Sequence, residues 1–193
     1  MKTFLKILAV ALVATAPQLT GDTHAATSQN LPTGNLLTAQ VNADEAPVPV
    51  ALPNLADVLL NGGESSSGRV TAIDSQKLSL QRDSNSTSIP LSQVKKVVFR
   101  ESGLVYKASG QPVIRGDGTT PAAKQAVWSG VPLNAFRVQD PLIGQAEVRL
   151  GPPVVTRLRL QGIVSVAKDR TYVVDEIQFD LQKRTMTIMA TPY

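Results

Sequence analysis

Two arginines set two residues apart, Arg157 and Arg159, are the first candidates for chemistry in this sequence. They fall in the largely apolar run 154–160, whose length and alternation are typical of a β-strand, so both side chains should project from one face. Two neighbouring guanidinium groups suit a carboxylate, phosphate or sulfate ligand. The same pattern is also typical of the solvated face of an antiparallel sheet, which is the interpretation we favour.

Trp128, the only tryptophan, is the second candidate. A tryptophan beside a glycine-rich segment can stack on a sugar ring or anchor a partner. Its apolar neighbours Val127, Val131 and Leu133 favour the alternative, in which the indole fills the seam between two modules. Arg157, Arg159 and Trp128 are therefore the candidate ligand-binding residues.

The carboxylates give no catalytic pair. Asp175 and Glu176 are adjacent, so on a strand they face opposite sides. Asp74, Asp83 and Asp117 occur in turn-like or glycine-flanked stretches, where aspartate is favoured by the backbone. A hydrolase using two acids across a cleft is thus the least supported alternative, and no catalytic residue is predicted.

The first 25 residues have the layout of a secretory signal peptide. Lys2 and Lys6 precede and border an apolar run over 7–16, and small residues surround a cleavage point after Ala25. The run is too short for a permanent membrane span, which needs roughly 20 residues. We expect a periplasmic or secreted protein, or one of the thylakoid lumen if the organism is photosynthetic.

Cleavage there would remove His24, the only histidine, from a chain that has no cysteine. The mature chain would then lack the groups needed for Ser-His-Asp or Cys-His catalysis and the usual zinc ligands. We therefore expect no metal and no cofactor. Without the leader, 17 Lys and Arg stand against 14 Asp and Glu, with no basic block, so nucleic acid is not an expected partner.

Composition divides the chain into five parts. Alternate prolines at the end of the second part favour an extended or disordered linker. The parts are a signal peptide (1–25), a proline-rich linker (26–53), a barrel-like β-module (54–100), a Gly/Pro-rich connection (101–130) and a second antiparallel β-module (131–193).

Short apolar runs separated by turn residues predict an all-β fold. The expected strands of the first module are 58–60, 69–73, 77–81, 88–91 and 96–99, and those of the second are 146–150, 154–160, 163–167, 172–174, 177–181 and 185–190. In the last pair, Ile177, Phe179 and Leu181 should face the core with Met186 and Ile188.

The connection 101–130 is predicted to be mostly loop because glycines and prolines interrupt every run. Within it, 104–106 and 113–114 are expected to form a small hairpin. The tripeptide Arg115-Gly116-Asp117 matches an integrin-binding motif, but three residues carry little specificity, and we take the match as coincidence.

The first module resembles the Sm-like family of small barrels. The run Val58-x-Leu60-Asn61-Gly62, followed by Gly68-x-Val70, Ile73-Asp74 and Leu78-x-Leu80, is similar to the first motif of that family. Ile89-Pro90-Leu91-x-x-Val94-x-x-Val97 is similar to its closing strand pair. The resemblance implies a small SH3-like barrel. It does not imply RNA binding, because Leu78 stands where the base-contacting asparagine would fall and no Arg-Gly pair follows.

Two segments of the first module have an echo later in the chain. Ala56-Asp57-Val58-Leu59-Leu60 resembles residues 146–150, and Ile89-Pro90-Leu91-x-x-Val94 resembles Val131-Pro132-Leu133-x-x-Phe136. No fixed period sustains the echo, so chance similarity and internal duplication both stay open.

Together these features predict an exported, non-catalytic protein of the cell envelope that acts as a structural or protein-interaction module. Its partner would be another envelope protein or complex. The alternative is a binding module for an anionic glycan or lipid headgroup, in which Arg157 and Arg159 would hold the charge.

Overall fold

The structure, a computed structural model, describes residues 47–101, 103–116, 125–160 and 170–193. These residues confirm the predicted all-β fold class, with a single short α-helix. The strands are β1 (Val48–Ala51), β2 (Ala56–Leu60), β3 (Ser65–Ile73), β4 (Lys77–Arg82), β5 (Asn85–Pro90), β6 (Val94–Phe99), β7 (Gly103–Tyr106), β8 (Pro112–Arg115), β9 (Ala126–Pro132), β10 (Phe136–Asp140), β11 (Gln145–Val148), β12 (Tyr172–Asp180) and β13 (Thr185–Pro192). The helix α1 is Pro152–Leu160.

Strands β2 to β6 fall within residues 54–100, where five strands were predicted. Each strand pairs antiparallel with its neighbour up to β5, and β6 returns to pair with β2, so the sheet curls around its own core. Val58 and Val97 face each other across β2 and β6, and both are fully buried. All five predicted strands of this module are confirmed.

The second antiparallel module continues the same sheet. β13 lies between β12 and β9, and β10 pairs with β11. One edge of β12 pairs first with β1 and then, through Ile177 and its two neighbours, with β6. β12 therefore joins the two modules into one curled sheet.

The end of the predicted linker belongs to this sheet, which corrects the interpretation of residues 48–53. β1 pairs antiparallel with β11 and parallel with β12. Alternate prolines favour the extended conformation that the sequence predicted, but Val48 and Val50 between them are buried. Removal of these side chains from water favours insertion into the sheet. The earlier linker residues, 26–46, lie outside the described part.

Gly144 fixes the position where β1 ends. Its backbone has a φ of +67°, and its carbonyl accepts a 2.7 Å hydrogen bond from the Leu52 amide. A Cβ atom at Gly144 would lie 2.1 Å from the carbonyl oxygen of Leu52, closer than real Cβ contacts come. Only glycine combines this φ with this approach.

The run 154–160, predicted as a strand, is part of helix α1. Proline is favourable in the first turn of a helix because the amides there need no intrahelical partner, and Pro152 and Pro153 occupy that turn. Val154 and Leu158, four residues apart, are both buried and define one helix face. The alternation of apolar and basic residues concealed this spacing. The predicted strand 163–167 lies outside the described residues.

β9 begins inside the segment that was predicted to be a loop-like connection. Gly130 suggested a break, but it is the extra residue of a β-bulge, with φ +78°, where the pairing of β9 with β13 shifts register. Glycine is the usual residue at such a bulge because it accepts positive φ without strain. The small hairpin expected from 104–106 and 113–114 is confirmed as β7 and β8.

A strand, a 3-10 turn and a second strand follow one another at two places in the sheet. In the first, β5 leads through a short 3-10 turn into β6, which pairs with β2; in the second, β9 leads through a 3-10 turn into β10, which pairs with β11. Pro90 and Pro132 precede the two turns with nearly equal backbone angles. The echo of Ile89-Pro90-Leu91 in Val131-Pro132-Leu133 therefore falls at two similar turns, whereas β2 precedes its turn and β11 follows its turn.

The final hairpin has the predicted register. Ile177 pairs with Ile188 and Phe179 with Met186, so these side chains share the inner face. Ile177, Ile188 and Met186 are fully buried, while Phe179 is only half-buried. Leu181, also expected in the core, lies past the end of β12 and is 39% exposed. Burial of the inner face therefore decreases along β12 toward the hairpin turn.

Candidate functional site

The predicted arginine pair does not lie on a strand. Arg157 and Arg159 are both part of helix α1, so the two-residue strand spacing from which a common face was predicted does not apply. The Arg157 guanidinium packs over Gly130, and its Nη1 donates a 2.9 Å hydrogen bond to the carbonyl of Ser129. The side chain of Arg159 lies outside what the structure describes. The geometry expected for a paired anion site on a strand is thus wrong.

Trp128 lies in β9 and is completely buried. Its ring meets that of Tyr172 edge to face, with centroids 5.1 Å apart, and its backbone pairs with Ile188. An indole without a solvent-facing side cannot stack on a sugar at the surface. The structure shows that the indole is buried, whereas its filling of a seam between two modules stays a prediction.

A different set of arginines lines an open groove of about 570 Å³, here called the arginine groove. It lies where the first module approaches the turn between β10 and β11. Its lining residues are Asn54, Leu55, Ser67, Gly68, Arg69, Gln81, Arg82, Asp83, Arg100 and Leu142. Three of the lining residues are arginines and one, Asp83, is acidic, so the lining residues carry a net positive charge, and a concave surface with an excess of one sign of charge concentrates its field.

Each of the three arginines is positioned by the backbone of the curled sheet. Arg69 belongs to β3 and pairs with Gln81 of β4, so Arg82 follows one residue along the neighbouring strand. Arg100 comes directly after β6, and its amide donates a 3.1 Å hydrogen bond to the carbonyl of Leu55. Residues far apart in sequence thereby contribute to the lining of one groove.

Among the described residues, no carboxylate forms an ion pair with Arg69, Arg82 or Arg100. The Nε atom of Arg69 is buried and has no hydrogen-bond partner there. An unsatisfied buried donor typically costs about 1–3 kcal/mol. The Nε atom of Arg115, which belongs to β8, is buried in the same way, without a hydrogen-bond partner in the described part of the chain.

A second depression, here called the polar furrow, continues from the arginine groove. Its volume is about 460 Å³, and it shares Ser67, Arg82 and Asp83 with the groove. Beyond these it is lined by Ser65, Ser66, Leu80, Asn85 and Thr87. Hydroxyl and amide groups can both donate and accept hydrogen bonds, so the furrow suits a polar, extended ligand.

Asp83 holds the turn that separates β4 from β5. Its φ is +54°, a left-handed conformation that aspartate and asparagine tolerate better than most residues. The prediction that Asp83 occupies a turn is confirmed. Its carboxylate also lines both the groove and the furrow, which the sequence did not indicate.

A separate polar cluster surrounds Asp175, which lies at a β-bulge of β12. One carboxylate oxygen accepts a hydrogen bond from Arg115, and the other accepts from Gln125 and Thr191, each at 2.8 Å. Arg115 is buried, and its other terminal nitrogen donates to the carbonyl of Arg100. Arg115 therefore fastens the β7–β8 hairpin to the sheet, which supports the view that the integrin-type tripeptide is coincidental.

Glu176 links the two modules at the pairing of β12 with β6. Its carboxylate receives a 2.8 Å hydrogen bond from the Lys96 ammonium group and a 2.6 Å bond from the Gln178 amide. Partial burial raises the pKa of Glu176, but these hydrogen bonds together with the charge of Lys96 outweigh it and leave the pKa below its ordinary value. This ion pair is thus a structural contact.

No family model, curated protein or solved structure matches the chain. Within the described ranges, no helix is both long and apolar enough to cross a membrane, and no three His, Cys, Asp or Glu residues are grouped in a way that could hold a metal ion. The resemblance of the first module to Sm-like barrels stays a prediction.

Proposed function

We propose that this protein is an exported, non-catalytic binding module of the cell envelope that holds an anionic partner in the arginine groove. One observation carries the proposal: Arg69, Arg82 and Arg100 line one open surface without an ion-pair partner among the described residues. Guanidinium groups bind carboxylates, phosphates and sulfates through charge-assisted hydrogen bonds.

The composition of the expected mature chain supports binding rather than catalysis. Without the leader peptide it would have neither histidine nor cysteine, and its carboxylates form no pair suited to acid-base chemistry. The predicted signal peptide indicates that the protein is exported from the cytoplasm. Intact mass of the exported protein should start at or near Ala26, and a cytoplasmic product that retains Met1 would contradict the export part of the proposal.

Binding of soluble polyanions tests the function. Fluorescently labelled poly-glutamate, polygalacturonate and vesicles of an anionic phospholipid are titrated with the mature protein. Binding of at least one of them should weaken as salt rises from 50 to 300 mM, because the Debye length shortens to below about 8 Å above 0.15 M. The absence of salt-sensitive binding to any of the three would refute the proposal.

Substitutions locate that binding. Arg82→Ala and Arg100→Ala remove exposed side chains, and each should weaken affinity by a factor of about 1.4 to 5, since an exposed charge pair contributes roughly 0.2–1 kcal/mol. Asp83→Asn removes the opposing carboxylate but keeps a residue that tolerates positive φ, so it should tighten binding by a similar factor. Arg149→Ala, an exposed arginine outside the groove, is the matched control. Equal losses in Arg149→Ala and the groove variants would place binding elsewhere.

A further inference from the structure

The arginine groove and the polar furrow together form one elongated depression along β3. Ser65 lines its far end and Arg69 its near end, and both lie on β3. Four residues of strand span roughly 13 Å at about 3.3 Å per residue. The depression is therefore long enough for four to five residues of an extended chain.

Two exposed leucines border the arginine groove. Leu55 precedes β2 and is 38% exposed, and Leu142 belongs to the β10–β11 turn and is 69% exposed. Exposed apolar side chains are ordinary when scattered, but here two of them line the same groove as three arginines. The groove thus offers apolar contact and positive charge to one ligand.

This combination discriminates between classes of anionic partner. No aromatic side chain lines the groove or the furrow among the described residues, whereas sugar rings are usually held by stacking on aromatic faces. A membrane surface requires cationic and apolar side chains that project together, whereas these arginines line a concavity. A polypeptide segment with acidic and apolar side chains matches the charge, the leucines and the hydroxyl-lined extension.

We propose that this depression holds an extended acidic segment of a partner polypeptide. Its carboxylates pair with Arg69, Arg82 and Arg100, and one of its apolar side chains packs between Leu55 and Leu142. The hydroxyl groups of Ser65 and Thr87 hydrogen-bond the part of the segment that lies in the furrow. The inference rests on the proposed function and adds to it the class of partner.

Three fluorescein-labelled octapeptides test it with the full mature protein. The first alternates Glu and Leu, the second alternates Glu and Ser, and the third alternates Gln and Leu. The first should bind most tightly, by about fivefold over the second, since burying part of a leucine side chain contributes on the order of that factor. The third should bind at least tenfold more weakly than the first, because guanidinium groups would have no charged partner.

Leu142→Ser should abolish the difference between the first two peptides without changing affinity for the Glu-Ser peptide. Because Leu142 is exposed, this variant should unfold at the wild-type temperature, and Leu55→Ser provides a second test at the other side of the groove. Equal affinity of the wild-type protein for the first two peptides would overturn the polypeptide inference, as would tighter binding of polygalacturonate or anionic vesicles than of any peptide. In either case, polyanion binding that still depends on Arg82 would leave the proposed function standing. If no polyanion binding depended on Arg82, both the proposed function and the polypeptide inference would be refuted.

Discussion

Replacement of Gly144 by alanine should separate β1 from the β10–β11 turn. The added methyl group would lie 2.1 Å from the carbonyl oxygen of Leu52 and 3.1 Å from its carbon, so one of the two segments must move. Any movement that relieves the overlap also stretches the 2.7 Å hydrogen bond from the Leu52 amide to the Gly144 carbonyl. The substitution therefore tests whether the proline-rich segment is a locked strand of the sheet.

The magnitude follows from three contributions. A non-glycine residue held near φ +67° costs roughly 1–2 kcal/mol. Overpacking against a rigid neighbour costs about 1–3 kcal/mol, and a weakened hydrogen bond about 0.5–1.5 kcal/mol. Because movement of the chain relieves part of each, we expect a loss of about 3–5 kcal/mol, a large share of the 5–15 kcal/mol typical of a domain.

Urea unfolding of the mature protein, followed by tryptophan fluorescence, measures this loss directly because Trp128 is buried in the same core. Gly62→Ala is the control, since a Cβ atom there would meet nothing within 4 Å. It should stay within about 0.5 kcal/mol of the wild type. A change of less than 0.5 kcal/mol for Gly144→Ala would refute the close packing of β1 against this turn.

Two further predictions concern β12. Ile177→Ala leaves a cavity at a fully buried site and should lower the free energy of unfolding by about 2–5 kcal/mol. Gln178→Ala, on the exposed face, should change it by at most about 0.5 kcal/mol. Equal effects of the two variants in urea unfolding would show that the register of β12 is wrong. Glu176→Gln should cost about 0.5–1 kcal/mol at pH 7. Because the pKa of Glu176 is lowered in the folded protein, its stabilisation is complete above the ordinary glutamate pKa of about 4.3 and disappears as the pH falls through the folded value. Unfolding curves of this variant and the wild type should therefore converge as the pH falls below the folded-state pKa of Glu176, and a difference that stays constant as the pH is lowered would exclude ionisation of Glu176 as its cause.

Local patterns predicted the strands well wherever apolar alternation and turn residues agreed. The turn at Asp74 is an example. The carboxylate of Asp74 accepts hydrogen bonds from the backbone amides of Gln76 and Lys77, and these bonds lower the pKa of Asp74. The strand predictions were wrong where a residue type is common in two different kinds of local structure. Gly130 indicated a loop but forms a bulge, and Pro152 starts a helix where alternation favoured a strand.

The arginine groove could not be predicted because its residues share no sequence spacing. Arg69, Arg82 and Arg100 belong to different segments and meet only through the pairing of β3 with β4 and of β2 with β6. The turn that carries Leu142 comes from the other module. Arg157 and Arg159 are only two residues apart in sequence, but such a spacing predicts a shared surface only when the secondary structure is known.

Mapping of amide chemical shifts during titration of the mature protein with poly-glutamate tests the central claim most directly. The proposed function predicts that the largest saturable shifts fall on Ser67, Arg69, Arg82 and Arg100, and that they diminish in the Arg82→Ala, Arg100→Ala double variant. Shifts that centre on Ser129 and Arg157 instead, or that are unchanged in the double variant, would contradict an anion-binding role for the arginine groove.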